Sequence, residues 1–178
     1  MNKIISGINI ECLKGDIASQ TEIDAVVNAA NAQLRTGGGV AGAIHRAAGP
    51  GLEEECRALA PIRPGQAVIS GGHKLPNKYV IHCLGPVYGV DKQEADLLAK
   101  CYRNALLLAE KHEIESIAFP AISTGAFGYP VEKATEVAFR TIMEIIPDLK
   151  SVRNIRFVLY SDSDLEIHDK ILSLTDKK

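Results

Sequence analysis

The segment of this sequence best suited to chemistry is the run Gly37-Gly38-Gly39-Val40, which follows Asn28-Ala29-Ala30-Asn31 at short distance. Three consecutive glycines are costly in backbone entropy, and a tight loop alone seldom needs them. They make sense where backbone must come within hydrogen-bonding distance of a ligand. The helical pattern that follows adds free N–H groups and a positive dipole end, which favour phosphate. The stretch Gly37-x-Gly39-x-x-Gly42 also satisfies the dinucleotide fingerprint literally. A Rossmann loop, however, leaves its strand directly and needs an acid at the end of the next strand. Here the loop starts well after Val27, and the acids at the right distance, Glu53 to Glu55, lie in a helical stretch.

A second such segment is Ser123-Thr124-Gly125-Ala126-Phe127-Gly128-Tyr129-Pro130. Its hydroxyls and glycines can form another nest of N–H donors for an anion. Phe127, between small residues, either packs against a sugar or base or closes a plain strand-to-helix turn. Asp16 is the third candidate. Its carboxylate can accept a hydrogen bond from an amino group such as that of adenine, or it can cap a helix.

Other reactive types offer less. His82 lies mid-strand and reads as a satisfied core residue; His45 faces either solvent or the back of the glycine loop; His73, His112 and His168 show no partner spacing. No pair has metal-ligand spacing, so no metal and no cofactor are expected. There is no nucleophile elbow, and Ser123 and Thr124 read as binding groups rather than nucleophiles. Cys12, Cys56, Cys83 and Cys101 form no C-x-x-C pair and read as reduced, buried thiols, which suits a cytoplasmic protein.

The elements that must position these segments alternate. Strands are expected over Ile8–Lys14, Ala25–Val27, Gln66–Ser70, Lys78–Leu84, Ser116–Ile122 and Asn154–Tyr160. Helices are expected over Gly38–Ala48, Leu52–Leu59, the apolar face from Leu97 to Ala109, Val131–Ile145 and Leu165–Leu174. This alternation predicts an α/β fold: a three-layer α/β/α sandwich with a largely parallel central sheet. Ligands of such sheets bind outside the carboxyl ends of strands. The glycine run, the Ser123–Gly128 segment and Ser161-Asp162 all follow such ends.

The chain has 178 residues, 46% hydrophobic and 24% charged, which suits one domain spanning 1–178. Its net charge of −2 and the lack of a basic run argue against nucleic acid. Met1–Ile10 lacks the apolar run of a signal peptide, and no stretch approaches a membrane span.

Together the segments resemble the macrodomain family, in its bacterial MacroD-type branch, over nearly the whole chain. The runs VVNAAN (26–31), GGGVAGAIHRAAGP (37–50) and AFPAISTGAFGYP (118–130) are long, ordered and specific. The resemblance implies a six-stranded mixed, largely parallel sheet between helices, with ADP-ribose across its carboxyl edge. Asp16 would bind the adenine amino group, with Ile17 donating a backbone bond beside it and Tyr160 packing near the ring. Gly37, Gly38, Gly39 and Val40 would form one phosphate loop; Ser123, Thr124, Gly125, Ala126 and Phe127 would form the other. Asn31 would bond the distal ribose hydroxyls, Asn28 would support that loop, and Phe127 would pack near the distal ribose.

It further implies hydrolysis at the distal ribose, releasing ADP-ribose from modified acidic side chains of proteins or from an acetyl group, with Asn31 and Gly38 as the catalytic pair. The expected partners are thus ADP-ribose, ADP-ribosylated proteins and O-acetyl-ADP-ribose, with the protein itself a monomer. The chain departs from the branch at one place. MacroD-type enzymes usually carry aspartate ten residues after the second asparagine, where this chain has Ala41. Some members resemble it in having alanine there and still hydrolyse ADP-ribosyl esters. A reader module that binds ADP-ribose without chemistry is the alternative.

Overall fold

The computed structural model describes residues 1–175. Seven strands run β1 (Asn2–Ile5), β2 (Ile8–Lys14), β3 (Ala25–Ala29), β4 (Ala67–Gly71), β5 (Tyr79–Cys83), β6 (Ser116–Phe119) and β7 (Asn154–Leu159). Five helices interleave: α1 (Gly39–Ala48), α2 (Pro50–Cys56), α3 (Glu94–Lys111), α4 (Val131–Ile145) and α5 (Asp162–Leu174). The strands form one sheet in the order β1-β2-β7-β6-β3-β5-β4. The five central strands are parallel, and β1 and β4 are antiparallel edges.

The α/β/α sandwich is as expected, but the sheet has seven strands rather than six. The added strand, β1, pairs with β2 through Ile5↔Ile8. The turn between them is Ser6-Gly7, both with positive φ (51° and 81°). Such a two-residue turn matches the right-handed twist of a hairpin.

Alternation along the strands sends side chains to opposite faces of the sheet. Val27, Ile81, Ile117, Phe119 and Phe157 pack with Leu98, Tyr102, Phe139 and Ile142 of α3 and α4. Val26, Val80, Ala118 and Val158 pack with Ile44, Leu52 and Cys56 of α1 and α2. The rings of Phe119 and Phe157 stack at 5.7 Å at the centre of the first core. Removing a buried ring of this kind costs about 3–5 kcal/mol.

This division of helices places the site. Strands β3 and β6 are parallel neighbours. The chain leaving β3 enters α1 on one face, whereas the chain leaving β6 enters α4 on the other. The two exits therefore diverge and leave a crevice at the carboxyl edge, the usual ligand position of an open parallel sheet.

Candidate functional site

The first wall of the crevice is the segment from Asn28 to Ala41. Asn28 is the fourth residue of β3 and fully buried. Its amide nitrogen lies 3.1 Å from Nδ1 of His82, its register partner on β5. Asn31 pins the loop: its Nδ2 donates to the Arg35 carbonyl (2.8 Å) and its Oδ1 accepts from the Arg35 N–H (3.0 Å). One N–H and one lone pair of that amide stay available to a ligand.

The glycine run then opens α1. The N–H groups of Gly37, Gly38, Gly39 and Val40 have no acceptor among the described residues. Gly38 is extended (φ −84°, ψ 177°), and the conformation that demands glycine falls at Gly39, φ +56°. Gly42 has a different task. A Cβ there would collide with the Gly37 carbonyl, so its absence lets the loop lie against the helix. A Cβ on Gly37 would stand 3.3 Å from Asn31 Nδ2 and 4.0 Å from the Ala41 Cβ. Asn31, Gly37 and the buried Ala41 therefore converge on one spot.

The opposite wall is the loop after β6. Ser123 has φ 68°, unusual for a residue with a side chain, and its hydroxyl is buried without a partner. The loop is closed by Tyr129 N–H to the Ser123 carbonyl (2.9 Å) and Gly128 N–H to the Gly125 carbonyl (3.0 Å). The N–H groups of Ser123, Gly125, Ala126 and Phe127 have no acceptor among the described residues. Thr124 is turned inward: its hydroxyl donates to the Ala121 carbonyl at 2.8 Å. Phe127 is half-buried against the core on the α1 side, and its carbonyl accepts from Tyr88 N–H (2.9 Å).

Asp16 lies at one end of the crevice. It caps the short 3-10 turn Ile17–Ser19, with Oδ1 accepting from Ala18 N–H at 2.9 Å and Oδ2 from the Ser19 hydroxyl at 3.2 Å. The carboxylate is exposed and keeps further lone pairs, so capping does not preclude contact with a ligand. The Ile17 N–H, first in that turn, has no acceptor among the described residues. Gly15 N–H donates to the Leu159 carbonyl, which ties this turn to the end of β7, where Tyr160 is 92% exposed.

Histidines fill the back of the first wall. His82 is fully buried; burial, and then the neighbouring His45, lower its pKa to about 3, so its ring is neutral. His45 is buried beneath α1, not on an exposed face, and burial lowers its pKa too. His73 does have a partner, contrary to expectation: its Nε2 lies 2.7 Å from Glu55 Oε1. All four cysteines are buried and free. Among the described residues no cluster of side chains is placed to hold a metal ion, and no helix is long and apolar enough to cross a membrane.

The sequence reading did not single out Gly85 or Ser70, and it met Gly42 only as part of the dinucleotide fingerprint. Gly85 was findable, because the dipeptide Gly85-Pro86 marks the stop of β5. Ser70 carries no local signal, since its partner, His82, lies on the neighbouring strand β5.

A switch-point crevice lined on both sides by unpaired N–H groups defines an α/β protein built to take an anionic ligand. Comparison with known proteins makes the class specific. The Macro domain family matches residues 27–138, and the chain belongs to that family. A macro domain-containing protein of Chlorobaculum tepidum is 50% identical over 165 residues, covering 92% of this chain and 95% of that one. The O-acetyl-ADP-ribose deacetylase of Salmonella typhimurium is 47% identical over 169 residues, covering 92% and 94%. Among solved structures, the Oceanobacillus iheyensis macrodomain with ADP superposes with a TM-score of 0.93 at 37% identity, covering 98% of this chain and 95% of that one. The Trypanosoma brucei macrodomain in complex with ADP-ribose gives 0.85 at 35% identity, covering 92% and 68%.

Proposed function

We propose that the protein binds ADP-ribose across this crevice and hydrolyses ester bonds at its distal ribose. Its substrates are then proteins carrying mono-ADP-ribose on acidic side chains, and O-acetyl-ADP-ribose. The observation that carries this reading is the pairing of two donor-lined loops on the adjacent strands β3 and β6. Neighbouring strands run about 4.8 Å apart, so their exits suit two linked phosphates rather than one. In this reading Gly37, Gly38, Gly39 and Val40 hold one phosphate, and Ser123, Gly125, Ala126 and Phe127 hold the other. Asp16, Ile17 and Tyr160 take the adenine. The spare N–H and lone pair of Asn31 take the distal ribose hydroxyls, beside Phe127. The likeness to a named O-acetyl-ADP-ribose deacetylase at 47% identity supports the chemistry.

Hydrolysis consumes one water and leaves a free ribose hydroxyl and a carboxylic acid. What the protein supplies is placement. The two loops fix the pyrophosphate, Asn31 fixes the ribose, and Gly38, with no side chain and nothing within 4 Å of where one would start, leaves room for the water. A ligand phosphate oxygen can orient that water, so no protein base is required. Preorganised N–H donors do not need to rearrange as charge develops.

A second reading rests on one residue. Ala41 meets Asn31 and Gly37 but has no polar group to offer, which favours a reader that binds ADP-ribose without turnover. The deciding experiment incubates the protein with a substrate mono-ADP-ribosylated on glutamate and measures free ADP-ribose. Release above a no-enzyme control supports the hydrolase. Binding without release establishes the reader.

A further inference from the structure

We infer that His82 and Ser70, buried behind the first wall, are positioning residues that set the orientation of the Asn28 amide and hence of the chain leading to Asn31. The inference rests on the ADP-ribose reading above.

Three contacts form a chain with one direction. The Ser70 hydroxyl donates to the Gly71 carbonyl at 3.1 Å. That uses its only proton, so at 2.8 Å from His82 Nε2 it must accept. Nε2 therefore carries the ring proton. His82 is neutral, with burial and then His45 lowering its pKa to about 3, so Nδ1 carries none and must accept. Its donor is Asn28 Nδ2 at 3.1 Å. Cys56 Sγ, 3.6 Å from Nε2, donates or accepts only weakly and fits either tautomer.

The direction matters because the chain could otherwise run backwards. With the proton on Nδ1, Ser70 would donate to Nε2 and the Asn28 amide would turn over, presenting its NH2 to the interior. Both N–H bonds of the amide would then lack partners, in place of one N–H and one oxygen, and unpaired N–H groups are the rarer and costlier defect. In the observed order His82 takes one N–H of the amide and, among the described residues, Oδ1 has no partner. A carbonyl on β4 thereby decides how an amide on β3 is turned. His82 and Ser70 are 0% and 3% exposed. They act through Asn28, three residues before Asn31.

The test compares wild type with Ser70→Ala, His82→Asn and His82→Leu by thermal melting, ADP-ribose calorimetry and 15N NMR of the His82 ring. Asparagine keeps an acceptor where Nδ1 stands, whereas leucine keeps none. In the wild type we expect the Nε2–H tautomer, with no titration above pH 5. Ser70→Ala should admit the Nδ1–H tautomer and weaken ADP-ribose binding by severalfold while the fold melts cooperatively. His82→Leu should weaken binding about tenfold, the equivalent of one buried hydrogen bond, and His82→Asn should restore most of it. An Nδ1–H tautomer in the wild type overturns the proposal. So does unchanged affinity in folded Ser70→Ala. If both His82 variants fail to fold, the tautomer and affinity of Ser70→Ala still decide. A wild type that holds the Nε2–H tautomer but does not bind ADP-ribose overturns the functional reading instead.

Discussion

A Cβ on Gly85 would overlap the hydroxyl of Ser123, so a residue two positions past β5 sets the shape of the loop that follows β6. Ser123 adopts φ 68°, which costs a residue with a side chain about 1–2 kcal/mol. Its carbonyl nevertheless closes the loop through Tyr129 N–H, and its own N–H has no acceptor among the described residues. Strain of this kind persists only where the surroundings impose it, and it gathers at binding sites.

From this contact, Gly85→Ala should displace Ser123 and Ile122 together, because the new methyl group also meets Ile122 Cγ2 at 2.7 Å. Overpacking of this sort costs about 1–3 kcal/mol. ADP-ribose affinity should fall by about tenfold or more, since a donor loop moved by 1 Å no longer aims at the phosphate. Melting curves and calorimetry on the same sample check both. Unchanged affinity in a folded variant would remove this loop from the site.

Asp16 has two jobs that one pair of variants separates. Asparagine caps a helix as well as aspartate, so Asp16→Asn should leave stability within about 0.5 kcal/mol, whereas Asp16→Ala should lose about 1 kcal/mol. If the carboxylate also receives the adenine amino group, both variants should bind ADP-ribose about tenfold more weakly. The asparagine would spend its one oxygen on Ala18 N–H and turn an NH2 toward the ligand. Full affinity in Asp16→Asn would reduce Asp16 to a helix cap.

Glu110 gives a pH test that does not touch the site. Its carboxylate accepts from the N–H groups of Lys150, Ser151 and Val152 at 2.9 to 3.1 Å, tying the end of α3 to the approach to β7. Burial alone would raise its pKa. Those backbone donors, with Arg153, outweigh burial and lower it from the ordinary 4.5. A lowered folded-state pKa means stability present above about 4.5 and lost as pH falls through the folded value. Glu110→Gln should therefore melt earlier than wild type at pH 7 and show a shallower loss of melting temperature between pH 5 and about 3. Parallel pH curves for the two proteins would disprove it.

Much of this was legible in the sequence for simple reasons. The buried strands are short apolar runs bounded by polar residues, as in Ala25-Val26-Val27, and burial on both faces explains why they do not alternate. The glycine run and the Ser123–Gly128 loop were conspicuous because glycine is dispensable unless backbone must come close to something. β1 was not counted, although Ser6-Gly7 is a hairpin signal, because four residues carry little pattern. What stayed hidden depends on partners distant in sequence. Nothing local to Gly85 announces Ser123, nothing near Asn28 announces His82, and the grip of Asn31 on Arg35 needs the folded loop.

The remaining prediction concerns Ala41, which is 5% exposed, is the third residue of α1, and faces Gly37 and Asn31. Ala41→Asp puts a carboxylate where it can orient water beside the distal ribose. Burying that charge works against the fold, by more than the ~1–3 kcal/mol that an unpaired neutral polar group costs. The first turn of a helix offsets part of this, since its unpaired N–H groups favour an anion by about 0.3–1 kcal/mol. The variant should thus fold with a somewhat lower melting temperature. A well-placed general base typically contributes about 10²-fold or more. This pocket has no second residue shaped to hold the new carboxylate, and a bound phosphate repels it, so the gain in ester hydrolysis should be nearer tenfold. Asn31→Ala should lower turnover in both backgrounds, because it frees the loop from Arg35 as well as removing a ribose contact. Turnover of wild type, Ala41→Asp, Asn31→Ala and the double variant is compared on one protein modified at glutamate. If all four bind ADP-ribose and none releases it, position 41 was never the missing part, and the chain is a reader.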